Sequence, residues 1–246
     1  MADSRRLQTD NPQWWKERKY RLTASHFYDI CENDKPWNNG RKRKGRATAA
    51  YLDPSRLLWP APLNPVVQEM CQWGIDREKT ALKVVSDALG RPLLDAGFCQ
   101  SAEYSFIGAS PDAFVPHMSG KNKGQPAAIV EVKCPFGVRY TGNRPKYISI
   151  DPKDKETFRL RANHRYFFQI QGQMYVTNLS YAIFAAWTPK ITYITRVDRD
   201  PNFIQWMVKK LVAYYAEVYY PYLEKKNLLS SISDDDKKAL EKIKKK

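Results

Sequence analysis

Seven consecutive residues, Ile129-Val130-Glu131-Val132-Lys133-Cys134-Pro135, decide the fold class of this chain. Together with the two alanines before them, they form an apolar run that is typical of a buried strand. Residues two apart on a strand point to the same face, so Glu131 and Lys133 project together while Val130 and Val132 pack on the opposite side. Burying two charges is costly unless they are paired or bind a metal ion. The stretch therefore predicts either an ion pair at the end of a strand or a site for a cation.

A second acid strengthens the interpretation as a cation site. Asp112 closes the segment Gly108-Ala109-Ser110-Pro111-Asp112, which we expect at the end of a neighbouring strand. Two carboxylates around a hard cation, with a lysine beside them, is the layout of a magnesium-dependent nuclease site. The acid-x-lysine triplet alone is weak evidence, because the chain repeats it at Glu17-x-Lys19, Asp151-x-Lys153 and Glu224-x-Lys226, among polar residues.

The composition of the chain limits the kinds of molecule that it is expected to bind. The 246 residues carry a formal net charge of +15, which favours a polyanion, either nucleic acid or an acidic membrane surface. No apolar run approaches the roughly 20 residues that span a bilayer, and no apolar segment follows Met1–Arg6 as in a secretory signal. The cysteines are scattered without metal-ligand spacing. We therefore expect reduced cysteines, an intracellular protein and no membrane association.

The order of elements predicts an α/β (α+β) fold with a central mixed β-sheet flanked by helices. We expect one domain over residues 1–229, with a long basic excursion at 34–64, and a Lys-rich tail over 230–246 that is a weak helix or disordered. Within the excursion, Arg41–Arg46 is either a solvated loop, a phosphate contact or a nuclear address. The first helix should begin near Thr23-Ala24-Ser25. Further helices are expected at 66–89, 162–177 and 202–226, strands at 92–99, 103–109, 181–187 and 191–197, a loop at 116–126 and irregular chain at 138–158.

Five blocks of residues follow one another along the chain. They are Trp14-Trp15-Lys16-Glu17-Arg18 with Thr23-Ala24-Ser25; Trp73-Gly74 with Glu78; Ser110-Pro111-Asp112; Glu131-Val132-Lys133-Cys134-Pro135; and Tyr166 with Gln169-Ile170-Gln171 and Met174-Tyr175-Val176-Thr177. In residues, spacing and order, the chain resembles the lambda-exonuclease and YqaJ-like viral recombinase family of PD-(D/E)xK nucleases. The resemblance runs from Trp14 to about Val197 and implies the restriction-endonuclease-like core of that family.

The resemblance also implies roles for individual residues. Asp112, Glu131, Glu78 and the Val132 carbonyl would hold one or two Mg²⁺ ions, for which Mn²⁺ could substitute. Lys133 would position or deprotonate the attacking water, or neutralise the scissile phosphate. Gln169 would hold that water or a phosphate. Alternatively, Glu78 is a solvent-facing residue beside Arg77 and Lys79.

The resemblance also implies a pocket that binds a terminal phosphate. Arg18, Ser25 and Ser110 match the positions that hold the 5′-phosphate of a DNA end in the phage enzyme, and a guanidinium with hydroxyl donors suits that group. The competing interpretations are a helix N-cap for Ser25 and a surface ion pair for Arg18.

Several polar and aromatic residues favour structural roles. Gln173 shares a helix face with Gln169 and Gln171 does not, but for Gln171 and Gln173 we expect polar helix surface. His164 is a potential phosphate contact that is more often structural. Five tyrosines could either stack on bases or pack in the core: Tyr214, Tyr215, Tyr219, Tyr220 and Tyr222. For most of them we expect core packing.

These observations lead to one leading hypothesis, a Mg²⁺-dependent exonuclease that digests double-stranded DNA ends, 5′ to 3′, in recombination or end processing. The alternatives are an endonuclease of the same fold acting on DNA or RNA, and an inactive nucleic-acid-binding module. The resemblance further implies a single-strand annealing protein as a partner, a trimeric ring or a monomer, and a location in the nucleus or cytoplasm of a eukaryotic or virus-infected cell.

Overall fold

The computed structural model describes residues 11–31, 52–58 and 62–244, so the basic cluster at 41–46 lies outside the described residues. Within these ranges the helices are α1 (Pro12–Arg18), α2 (Phe27–Cys31), α3 (Ser55–Leu58), α4 (Pro65–Leu89), α5 (Arg165–Thr177), α6 (Pro201–Tyr214), α7 (Tyr220–Lys225) and α8 (Asp234–Lys244). The strands are β1 (Leu22–Thr23), β2 (Leu94–Asp95), β3 (Cys99–Gln100), β4 (Ile107–Ala109), β5 (Ala113–Pro116), β6 (Pro126–Lys133), β7 (Ile148–Ile150), β8 (Phe158–Leu160), β9 (Tyr181–Trp187) and β10 (Thr192–Asp198).

The central sheet is built around β6. Its strand order is β10-β9-β6-β5-β2, and β6 pairs parallel with β9 and antiparallel with β5. Ile129 packs with Ile170 of α5 on one face, whereas Val130 packs with Val85 of α4 on the other. Because α4 and α5 cover opposite faces, β6 is buried on both sides. The predicted mixed sheet flanked by helices is confirmed, and so is the predicted alternation of side chains along β6.

Helix α4 closely matches its prediction of 66–89. The Asn64 side chain accepts a hydrogen bond from the Val67 N–H at 2.9 Å, and Pro65 occupies the first turn, where its missing N–H costs nothing. The helix ends at Gly90, whose φ of 62° is the left-handed conformation that glycine adopts without strain. Local sequence signals therefore set both ends of this helix.

Helix α5 approaches α2 closely at Gly172. A Cβ atom added to Gly172 would overlap the Phe27 ring, which is fully buried in the core. The glycine thus lets α5 lie against α2, and α5 also carries Gln169 and Gln173 on the face toward β6.

Replacing Gly172 by alanine is expected to lower the free energy of unfolding by about 1–3 kcal/mol, because a packed core accommodates an added methyl group poorly. Urea unfolding measures this change. Gly74→Ala in α4 is the matched control, since its Cβ would meet nothing within 4 Å, and it should raise stability by about 0.5–1 kcal/mol. Equal stability of the Gly172→Ala variant and the unsubstituted protein would contradict the close approach.

The predicted strand 92–99 is instead two short strands, β2 and β3, which belong to different sheets. Three further elements differ from the sequence-based expectation. Helix α1 precedes the predicted first helix and begins where Asn11 accepts a hydrogen bond from the Gln13 N–H at 3.0 Å. Asp112 directly precedes β5, a strand that was not predicted, rather than ending a strand. The predicted irregular region at 138–158 contains β7, which pairs with β8. All three elements are seven residues or shorter, too short for a periodic pattern to reveal.

The C-terminal region completes the core behind α5. Tyr214, Tyr215 and Tyr219 are fully buried, which confirms core packing for these tyrosines, and a π-helical segment, Tyr215–Tyr219, interrupts the predicted helix 202–226. The tail forms α8, with Leu240 buried and Asp236 paired with Arg21 at 3.2 Å. Across the described residues, no helix is both long and apolar enough to cross a membrane.

Candidate active site

Asp112 is fixed beside β6 by two hydrogen bonds. Its backbone N–H donates to the Val130 carbonyl at 3.1 Å, and its Oδ2 accepts from the Val132 N–H at 2.7 Å. The carboxylate thereby takes the place that the next residue of an antiparallel strand would occupy. The other oxygen, Oδ1, accepts no hydrogen bond that the described residues provide.

The sheet opens at the same point. β5 pairs with β6 only as far as Val130, so in the described part of the chain no strand covers this edge of β6 beyond that residue. The N–H and C=O of one strand residue point to the same side. Because the Val132 N–H meets Asp112, the Val132 carbonyl also emerges on the Asp112 side of the strand.

Glu131 is held by three side-chain donors. The residue is 0% exposed, and its Oε1 accepts from the Lys133 ammonium and from Gln169 Nε2 at 2.5 Å. Its Oε2 accepts from Gln173 Nε2 at 2.7 Å. Gln169 and Gln173 lie one helical turn apart on α5, so both reach the same carboxylate. These bonds satisfy a carboxylate that would otherwise be costly to bury.

The prediction of polar helix surface was wrong for both Gln171 and Gln173, which are 0% exposed. Gln171 donates to the Asp198 carbonyl at 2.8 Å and accepts from the Asp200 N–H at 2.9 Å, so it ties α5 to the start of α6. Because α5 packs between the sheet and α6, the two helix faces that carry Gln171 and Gln173 are both buried. Apolar residues all around this helix were the sequence signal for that burial: Phe168, Ile170, Met174 and Val176.

Negative charge dominates this group of residues. Burial raises the pKa of Asp112 well above its ordinary value, and the neighbouring Glu131 charge raises it further. Burial and Glu131 likewise raise the pKa of Glu78. For Lys133, burial lowers the pKa, but the charges of Glu131 and Asp112 outweigh it and the pKa is raised. Lys133 is therefore a firmly held cation among these acids.

A cavity of about 380 Å³ opens onto three of these charged residues, Glu78, Asp112 and Lys133. It brings Glu78 of α4 to the same space as Asp112, Val132 and Lys133, with Tyr166 of α5 on its wall. Glu78 is half-buried at the wall of this cavity, whereas Arg77 and Lys79 are exposed. Among the described residues, no three His, Cys, Asp or Glu side chains are placed to hold a metal ion by themselves.

Arg18, Ser25 and Ser110 form a second polar group. Arg18 Nη1 donates to Ser110 Oγ at 3.1 Å, and its Nη2 lies 3.4 Å from Thr23 Oγ1, which in turn lies 3.2 Å from Ser25 Oγ. Trp14 Nε1 also donates to Ser110 Oγ, at 2.9 Å. The sequence places Thr23 near the start of a helix and Trp14 in a family block, and it predicts neither as a member of the phosphate pocket. Ser110 lies two residues before Asp112, which places this group next to the carboxylates.

The electrostatics of this second group favour an anion. Burial lowers the pKa of Arg18 to about 10, and none of the described residues gives Arg18 a carboxylate partner. The surface ion pair considered for Arg18 is therefore not found among the described residues. Ser25 is not an N-cap either, because the 3-10 turn Ala24–His26 follows Thr23 without a side-chain cap.

His164 has the structural position that its sequence context favoured. Its Nδ1 accepts from the Tyr166 N–H at 3.3 Å at the start of α5, and its ring packs against Tyr147 and Tyr166. Burial lowers the pKa of His164 to about 4, with a smaller contribution from Arg165. The imidazole is consequently neutral at pH 7.

A family model identifies the family of the chain, and solved structures show the same fold. The family model described as the YqaJ-like viral recombinase domain matches residues 13–180. The chain is similar in structure to an alkaline exonuclease from Laribacter hongkongensis, with 21% identity, a TM-score of 0.58, and coverage of 88% of this chain and 98% of that one. It is also similar to a phage-related exonuclease from Haemophilus somnus 129PT, with 16% identity, a TM-score of 0.54, and coverage of 84% and 96%. No curated protein sequence matches the chain.

Proposed function

We propose that this chain, which belongs to the family of YqaJ-like viral recombinase domains, is a DNA exonuclease that acts on duplex ends. The observation that carries the proposal is the adjacency of an anion-binding group, centred on Arg18, and a carboxylate pair, Asp112 and Glu131. Ser110 links them, since it accepts from Arg18 and lies two residues before Asp112. Proteins of the same fold are named exonucleases, which supports this reaction class.

The residues around Asp112 fit a hard divalent cation. Asp112 Oδ1 accepts no hydrogen bond from the described residues. Burial, and then the Glu131 charge, raise the pKa of Asp112, so a bound cation would stabilise its charged form. Asp112, Glu131 and the Val132 carbonyl offer oxygen ligands, and Mg²⁺ keeps several waters, so few protein ligands suffice. Glu78 borders the same cavity and would hold a second ion or a coordinated water. Bound Mg²⁺, or Mn²⁺ in its place, would lower the pKa of a water and neutralise charge on the phosphoryl group.

The remaining side chains orient the reactants. Lys133, held as a cation by Glu131 and Asp112, is suited to neutralise the scissile phosphate and to position the water, rather than to remove its proton. Gln169 and Gln173 hold the Glu131 carboxylate in one orientation. Gln169 is only partly buried. Its side-chain oxygen can accept a hydrogen bond from a water, and the second N–H of its Nε2 can donate to a phosphate oxygen.

The proposed direction of digestion rests on the polar group formed by Arg18, Ser25 and Ser110. A guanidinium with hydroxyl neighbours matches a terminal phosphate, which carries more charge than a phosphodiester. If the 5′-phosphate lies at Arg18, the first phosphodiester of that strand reaches the carboxylates, and digestion runs 5′ to 3′. An alkaline exonuclease of the same fold was solved with dAMP, a deoxynucleoside monophosphate, which is the kind of product that this digestion would release. The 3′ strand that remains would suit a single-strand annealing protein.

Digestion of matched DNA substrates tests the proposal. With Mg²⁺, linear duplex DNA should be degraded to mononucleotides or short products, whereas covalently closed circles should persist, because an end must enter the Arg18 pocket. Linear duplexes with a 5′-phosphate should be digested faster than those with a 5′-hydroxyl. Cutting of closed circles would instead indicate an endonuclease. Intact linear duplex with both Mg²⁺ and Mn²⁺ would indicate a binding module without catalysis.

A further inference from the structure

A second cavity lies beside the β7–β8 hairpin, outside the residues assigned above. It has a volume of about 330 Å³ and is lined by Arg144, Pro145, Lys146, Ile148 and Arg161. Its floor is apolar, since Pro145 and Ile148 are buried, while the three basic residues are exposed at its mouth. Charges beside a low-dielectric floor act more strongly on a bound ion than charges in open water.

The three cations of this cavity lack acidic partners in the described residues, whereas neighbouring cations have them. Arg159 pairs with Asp151, and Arg165 pairs with Asp29. No ion pair connects Arg144, Lys146 or Arg161 to a described carboxylate, and no lining residue is acidic. An uncompensated triple positive charge around one cavity is the arrangement expected for an anion site.

Hydrogen bonds to the backbone fix the guanidinium of one of these cations and the main chain of a second before any ligand binds. The Arg144 guanidinium donates to the Ile148 carbonyl, across the cavity rim. The Arg161 N–H donates to the Tyr147 carbonyl at 2.9 Å, which ties the chain after β8 to the chain before β7. Pre-positioned donors bind a ligand with a smaller loss of conformational entropy.

A short aromatic path connects this cavity to the catalytic one. The Lys133 ammonium lies 5.1 Å from the centre of the Tyr166 ring, and the Tyr166 and Tyr147 rings are 5.0 Å apart. Tyr147 stands between Lys146 and Ile148 in the chain. With successive nucleotides rising about 3.4 Å along a strand, the cavity lies within a few nucleotides of the scissile bond.

We propose that the cavity bounded by Arg144, Lys146 and Arg161 binds a backbone phosphate of the DNA, a few nucleotides from the cleaved bond. The inference rests on the proposed DNA exonuclease function and extends its substrate path. Arginine forks match phosphate oxygens, and the three cations would release counterions from the strand they bind. The same chemistry would accept the phosphate of a released mononucleotide, so the test separates these two sources.

The experiment compares two double variants of equal charge. Arg144→Gln with Arg161→Gln removes the arginines of the cavity, and Lys153→Gln with Lys155→Gln removes two exposed cations between β7 and β8 that do not line it. Binding to 5′-phosphorylated duplexes of increasing length is measured by fluorescence anisotropy with EDTA, over a range of salt concentrations. Binding of deoxyadenosine monophosphate is measured by calorimetry. Urea unfolding verifies that each variant folds.

For the cavity variant we expect roughly tenfold weaker binding to long duplexes. The slope of the logarithm of the binding constant against the logarithm of the salt concentration should become smaller by about one per lost phosphate contact. Below a threshold length the difference from the unsubstituted protein should vanish, because the strand no longer reaches the cavity. The control variant should change the slope less. Equal slopes for both double variants would overturn the inference. A cavity variant that loses the binding of deoxyadenosine monophosphate but keeps the binding of duplex DNA would overturn it as well.

Hydrolysis is scored separately on the unsubstituted protein. Cleavage of linear DNA together with unchanged slopes would overturn the phosphate site and leave the exonuclease function standing. A length-dependent slope change without any cleavage would overturn the function and support the site. A protein that neither binds nor cleaves DNA would overturn both.

Discussion

Replacing Glu131 by glutamine is expected to slow DNA hydrolysis by roughly 10³-fold. The substitution keeps the size of the side chain but removes the negative charge that faces Lys133 and, in the proposed mechanism, a ligand of the divalent ion. Gel-based digestion of end-labelled linear duplex at saturating Mg²⁺ measures the rate. Hydrolysis at the unsubstituted rate would remove Glu131 from the proposed site.

The same substitution should also destabilise the protein. Glu131 is the acid that bonds directly to the Lys133 ammonium, and the glutamine would leave that cation partly buried without its nearest counter-charge. Removing one partner of a fully buried ion pair typically costs about 3–5 kcal/mol. The cost here should be smaller, because Asp112 still contributes negative charge at Lys133 and the Lys133 side chain is 22% exposed. Urea unfolding in EDTA measures this change.

Asp112→Asn is the matched control, because it should abolish hydrolysis and leave stability unchanged or higher. The asparagine side-chain oxygen can still accept from the Val132 N–H, so the local backbone bond survives. Its neutral side chain avoids the burial of a charge, which is the main cause of the raised pKa of Asp112, and the repulsion with Glu131, which adds to it. If Asp112→Asn destabilised the metal-free protein as much as Glu131→Gln, the two carboxylates would not differ as the structure indicates.

Replacing Arg18 by lysine is expected to reduce kcat/KM on 5′-phosphorylated ends by about ten- to 100-fold, with little change on 5′-hydroxyl ends. Charge-assisted hydrogen bonds contribute about 1.5–3 kcal/mol each, and lysine keeps the charge but lacks the planar fork. The loss should therefore follow the terminal phosphate rather than overall DNA affinity. Digestion rates of the two kinds of end, measured in parallel, give the ratio.

Lys16→Gln provides the control for charge alone. Lys16 lies on α1 like Arg18, is exposed and makes no contact with Ser110. Its loss should lower the rates on both kinds of end by a similar, small factor. An Arg18→Lys variant that loses the same factor on both ends would show that Arg18 acts on DNA binding in general, and the proposed 5′-to-3′ direction would lose its support.

Local patterns in the sequence predicted much of the fold. The apolar alternation around Glu131 predicted a strand with two distinct faces, and Ile129 and Val130 indeed pack into different clusters. Asn64, Pro65 and Gly90 marked the ends of α4 because capping and the left-handed conformation depend on a few adjacent residues. Short elements such as β5 and the β7–β8 hairpin were missed, since three or four residues contain too little of a period.

What the sequence by itself determined is the set of chemical groups and the face of each strand or helix on which they lie, because periodicity is a local property. The tertiary structure alone decided which faces meet. It turned Gln173 from an expected surface residue into a donor to Glu131, since the burial of α5 depends on α6 and the sheet. It likewise joined Arg144 and Arg161 around one cavity, because hairpin pairing brings together residues that are distant in the chain.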